Sequence, residues 1–166
     1  GTYKILVHYK GQKDSTTLTV IDDPRLSVSI ADRQTNATAI RNFYPTIEKA
    51  KKAYDRLKDA ENTIKLVESQ FVNVPDSLKK EVLDLGKALK DSIGVLKNAF
   101  FDHEERKGIQ RNPDLLSGRL RQAVNYIENA PAAPNGNALI AIKQAQDDAD
   151  KLLERIETLF SVQWKA

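Results

Sequence analysis

The chain has 166 residues, 40% hydrophobic and 30% charged, the balance of an ordinary globular protein with one sizeable core. Its 26 basic and 23 acidic residues interleave along the whole length, so the net charge of +3 marks no nucleic-acid-binding face. Cysteine is absent, which excludes disulfides, thiolate metal sites and a cysteine nucleophile, and no run approaches the roughly 20 apolar residues of a membrane span. Methionine is absent even at position 1, so Gly1 leads us to expect an end cut or processed from a longer polypeptide.

The first element is a hairpin. In "TYKILVHYK", Tyr3, Ile5, Val7 and Tyr9 alternate with Lys4, Leu6, His8 and Lys10. The stretch "GQKDS" reads as the turn, with Gly11 and Asp14 as its turn residues. "TTLTVI" reads as the return strand, with Leu18 and Val20 on one face and Thr17, Thr19 and Ile21 on the other. A two-stranded hairpin is marginal in water by itself. We therefore expect it to complete a sheet whose other strands lie elsewhere, in preference to packing on a helix end. At "DDPRL", Pro24 forces Asp23 out of the helical region and ends the strand.

Helical spacing begins near Ser29, where Ser29 and Asp32 make an N-cap signature. Phe43, Ala50, Leu57, Ile64 and Phe71 recur every seven residues beside Ile40, Ile47 and Tyr54. Glu61 breaks the second row, and Ala60 and Val67 widen the stripe instead. The spacing runs through Pro45, which predicts a kink rather than a stop. "NVPDS" closes this helix at Asn73 and opens the next at Pro75. The second helix carries Leu78, Val82, Leu85, Leu89, Ile93, Leu96 and Phe100. Its two glycines, Gly86 and Gly94, mark either close approach of a neighbour or plain tolerance. After the polar connector 102–113, Pro113 and Asp114 start a third helix with Leu116, Leu120, Ala123 and Ile127 as its stripe. A break at "NAPAAPNGN" precedes the last helix, which carries Leu139, Ile142, Ala145, Ala149, Leu152, Ile156 and Leu159.

The expected fold is mainly α: an up-down-up-down four-helix bundle over 29–166, preceded by a short antiparallel β-hairpin and corner over 1–28. Helix three spans about 25 Å against about 40 Å for the others. The 102–113 connector is thus expected to fill out its length, and 30–44 to project past the bundle.

No catalytic set emerges, and an enzyme is not expected. His103 with Glu104 and Glu105 sits on a connector without the fixed geometry of a metal site, so a solvated charged loop is the reading preferred. Asp147, Asp148 and Asp150 fan around a helix axis and do not converge. No cofactor is implied. His103, Arg106, Arg111 and Trp164 are candidate partner contacts, with packing inside the chain the simpler role for Trp164.

The stretches "TYKILVHYKGQ", "LTVIDDPRL", "PDLLSGRL" and "NAPAAPNGN" together resemble the C-terminal region of secreted bacterial BNR-repeat proteins with sortilin-like β-propellers, often labelled glycosyl hydrolases. The resemblance covers nearly the whole chain, although Pro45 departs from the family's pattern. It implies an upstream propeller, a hairpin left over from a small upstream β-sandwich, and a non-catalytic C-terminal accessory or interaction role. It also implies upstream domains of the same polypeptide as partners and a secreted, periplasmic or cell-surface location. The alternative is a helical self-association or partner-binding module unrelated to a propeller, forming a homo-oligomer through the hairpin edge or the helix seams.

Overall fold

In a computed structural model, the described residues are 1–21, 23–25, 27–70, 76–101, 112 and 114–164. They form a hairpin, β1 (Thr2–Tyr9) and β2 (Gln12–Thr19), followed by four helices: α1 (Ile30–Gln70), α2 (Asp76–Phe100), α3 (Leu116–Glu128) and α4 (Gly136–Thr158). The chain is mainly helical, as expected. A wider π turn, Leu159–Gln163, continues α4 to Trp164.

Local chemistry sets most of the boundaries. Ser29 Oγ accepts from the Asp32 amide at 3.0 Å and donates to Asp32 Oδ2 at 2.7 Å, closing the N-terminus of α1 as its sequence predicts. α1 runs unbroken through Pro45 for 41 residues, about 60 Å. Asn135 caps α4 by accepting from the Ala138 amide at 2.9 Å. α3 starts at Leu116, two residues later than its Asp114 signal predicts, and its N-cap, Leu115, makes no side-chain cap bond. The junction at Asn73 and Pro75 lies outside the described residues, as does the 102–113 connector apart from Asn112.

Helix directions follow from interhelical pairs. Glu61 meets Lys97 at 2.6 Å and Glu68 meets Lys90 at 2.7 Å, so advancing along α1 retreats along α2. Asn36, near the start of α1, binds the Ile127 and Ala130 carbonyls at the end of α3, and Arg56 meets Glu157 of α4 at 3.0 Å. Were α4 antiparallel to α1, its start would lie about 60 Å from Asn36. Five residues lie between Ala130 and Gly136, and the six steps of chain reach only about 20 Å. α4 therefore runs with α1. By the same reasoning the Arg119–Asp148 pair, 2.8 Å, sets α3 antiparallel to α4.

The order is up, down, down, up, which corrects the expected up-down-up-down arrangement. α2 covers the stretch of α1 from Tyr54 to Glu68, whereas α3 covers the stretch around Asn36 and Tyr44. These two helices follow one another along α1, so the body is three helices wide where α4 runs beside them and two, α1 and α2, past the end of α4. The cause is length: α1 is too long for either α2 or α3 to cover alone. Most of 30–44 consequently does not project: Asn36 and Phe43 within it are buried.

The core joins Phe43, Leu57, Ile93 and Ile127 through all four helices. Most of the predicted stripes lie in it, with three corrections. Val67 and Leu85 are exposed, at 40% and 53%, because α4 has ended at their level. Leu139 is also exposed, and Ala138 and Ala141 are buried in its place. Small residues at Ala123, Ala138, Ala141, Ala145 and Ala149 let α3 and α4 lie close. Gly86 faces Ile64 and Glu68 of α1 at close range, while Gly94 faces open space.

Candidate functional site

The hairpin is the most unusual surface of the molecule, since every residue of both strands is exposed. Its loop is the two-residue pair Lys10–Gly11, with φ of 46° and 83°. Positive φ at both positions gives the turn the twist that suits a tight hairpin. The turn is thus shorter than "GQKDS", and Asp14 belongs to β2. The loop fixes the register: Tyr3 opposite Leu18, Ile5 opposite Thr16, Val7 opposite Asp14, and Tyr9 opposite Gln12.

That register merges two rows which the sequence shows separately. Tyr3, Ile5, Val7, Tyr9 and Leu18 share one face, and Val20, bonded to Gly1 in both directions at 2.9 Å, extends it. The opposite face carries Lys4, Leu6, His8, Lys13, Ser15 and Thr17. Among the described residues no helix covers the apolar face; Ile5, its least exposed apolar member, remains 42% exposed. A contiguous apolar row of this kind is a candidate interaction surface. Beyond the hairpin, Asp23 accepts Arg25 Nη2 at 2.7 Å, which lowers the Asp23 pKa and stiffens the predicted corner.

A second surface lies where α1 and α2 continue past α4. Ile64, Val67, Val82, Leu85 and Leu89 line an open groove of about 210 Å³, with Trp164 at one end. Trp164 is half-buried and tilts against Phe160 at 5.8 Å between ring centroids. It therefore packs within the chain while lining the groove. Phe160 in turn stacks under the Arg56 guanidinium at 3.7 Å, so α1 holds this turn in place. His103, Arg106 and Arg111 lie outside the described residues. The acidic residues of α4 do not converge: Asp147 pairs with Lys143 at 2.9 Å and Asp148 with Arg119.

Sequence reasoning missed two features of these surfaces. One is the union of the β1 row with Leu18 and Val20, which a Lys-Gly two-residue turn would have disclosed. The other is the stripe on α2 of Leu85, Ala88 and Val95, exposed, with Ser92 half-buried among them, spaced three and four apart and adjoining the buried one. Among the described residues no helix is long and apolar enough to cross a membrane. Comparison with protein-family models, curated proteins and solved structures returns no match for this chain.

Proposed function

We propose that the chain is a non-catalytic accessory and interaction region whose hairpin completes a β-sheet of a preceding domain in a larger polypeptide. The observation that carries this reading is the hairpin's uncovered apolar row, Tyr3, Ile5, Val7, Tyr9, Leu18 and Val20. Two strands bury nothing between themselves, and burial of such a row on a second layer is what makes sheets stable. On this reading residues 1–28 belong structurally to an upstream β-sandwich, and 29–166 form a separate helical unit. The resemblance to the C-terminal region of secreted BNR-repeat, sortilin-like propeller proteins supplies the expected neighbour. The helical unit would pack beside that propeller or help present it. The test is tyrosine accessibility in the full-length gene product against the isolated chain. Protection of Tyr3 and Tyr9 only in the full-length product is the expected result; equal reactivity in both overturns the reading.

A second reading is favoured by the exposed α2 stripe. Leu85 and Val95, 53% and 60% exposed, lie on one heptad-like seam whose Val95 end borders Arg155 and Thr158 of α4 across an open groove, a geometry open to helical self-association. Sedimentation at high micromolar concentration decides it: a dimer lost in Val95→Lys supports it, and a monomer rejects it.

A further inference from the structure

We infer that the neighbouring strand joins the hairpin along the free edge of β1, and that β2 stays the outermost strand of the completed sheet. This rests on the reading that the hairpin docks on β-structure. Gly1 and Val20 exchange both backbone hydrogen bonds, so they are a hydrogen-bonded pair of the antiparallel ladder. Alternation then sets which groups face outward. On β1 these are the N–H and C=O groups of Thr2, Lys4, Leu6 and His8; on β2 they belong to Lys13, Ser15, Thr17 and Thr19.

The two edges differ in three ways. First, the outward Ser15 amide already donates to Asp14 Oδ1 at 2.7 Å, so the β2 edge has a donor satisfied within the chain. The outward amides of Lys4, Leu6 and His8 have no partner among the described residues. Second, Asp14 stands on the apolar face of β2, and a charge on the inward face is a device that keeps edge strands from pairing. Third, β1 presents four consecutive apolar residues on that face and Leu6 on the other, the composition of a strand buried between neighbours. β2 presents Gln12, Asp14 and Thr16 on one face and Lys13, Ser15 and Thr17 on the other.

The occupant is therefore an extended strand that alternates apolar and polar residues, its apolar side continuing the Ile5 and Val7 row. Lys4 and His8 lie on the other face, with Lys13 directly across from His8. Directly opposed like charges destabilise a sheet, so the partner strand carries carboxylate or neutral polar side chains there.

Hydrogen exchange resolved to single amides, in the full-length gene product and in the isolated chain, tests the assignment. The Lys4, Leu6 and His8 amides are expected to slow by about 100-fold or more in the full-length product, while Lys13 and Thr17 keep their rates. Protection of Lys13 and Thr17, alone or together with the β1 amides, overturns the edge assignment and leaves the docking reading standing. No protection on either edge, with Tyr3 and Tyr9 still reactive, overturns both. Matched variants give a second readout. Leu6→Pro and Thr17→Pro each remove one outward donor without touching the β1–β2 ladder. Loss of tyrosine protection in Leu6→Pro but not in Thr17→Pro is the expected pattern, and the reverse pattern overturns the inference.

Discussion

Asn36 on α1 donates its amide to the Ile127 carbonyl at 2.9 Å and to the Ala130 carbonyl at 2.8 Å, so one helix caps the C-terminal end of another 91 residues away. Carbonyls at a helix end have no partner within the helix. Supplying donors from a buried side chain ties the α3–α4 connection to the first turns of α1 and fixes the direction in which α4 leaves. Tyr44, whose hydroxyl donates to the Glu128 carboxylate, joins the same two helices one side over.

Asn36→Ala leaves those two carbonyls without donors in a site only 7% exposed. We expect a loss of about 2 kcal/mol, seen in urea denaturation. Asn36→Asp is expected to cost at least as much at pH 7, since a carboxylate would face the two carbonyls.

Glu61 gives a pH signature. Hydrogen bonds from Lys65 and Lys97 lower its pKa from 4.5 to about 2, against the opposing effect of burial. A carboxyl whose folded pKa is depressed stabilises the fold fully above its unfolded value, and that contribution disappears as pH falls through the folded value. Wild type is therefore expected to exceed Glu61→Gln by about 1 kcal/mol above pH 5, the shift being discounted for partial exposure. The gap closes between pH 4.5 and about 2. Parallel denaturation curves across that range measure it, and a constant gap contradicts the assignment.

The two glycines of α2 are expected to answer differently to alanine. A Cβ at Gly94 meets nothing within 4 Å, so Gly94→Ala gains helix propensity of about 1 kcal/mol. At Gly86 the new Cβ lies 2.9 Å from Glu68 Oε1 and 3.3 Å from Ile64 Cγ2. Glu68 is held by Lys90, so its displacement cancels most of the gain. Thermal melts of both variants should separate them.

The hairpin turn supplies a fourth prediction. Lys10 holds a positive φ that asparagine adopts more readily, so Lys10→Asn is expected to raise the hairpin population. Gly11→Ala, at φ 83°, is expected to lower it by roughly 1–2 kcal/mol. Amide chemical shifts across Thr2–Thr19 report both.

The number and kind of elements were legible because their signals are local. Alternation in "TYKILVHY", the Ser29–Asp32 cap and the seven-residue recurrence from Phe43 to Ile64 each depend on neighbours within a turn or two. The stripes of α3 and the C-terminal half of α4 likewise appear where their spacing puts them. Leu139 misled because leucine is the stronger hydrophobe, while the close α3–α4 approach selects Ala138 and Ala141.

By itself, then, the sequence determined a hairpin followed by four amphipathic helices, and the capping residues of α1. Only the tertiary structure decided that α2 and α3 follow one another along α1, that α4 runs with α1, and that Leu18 and Val20 join the β1 row. Periodicity tells a helix which side to bury but not against which partner. Direction and register come from pairs distant in sequence, Arg56 with Glu157 and Tyr3 with Leu18, whose meeting depends on lengths and turns acting together.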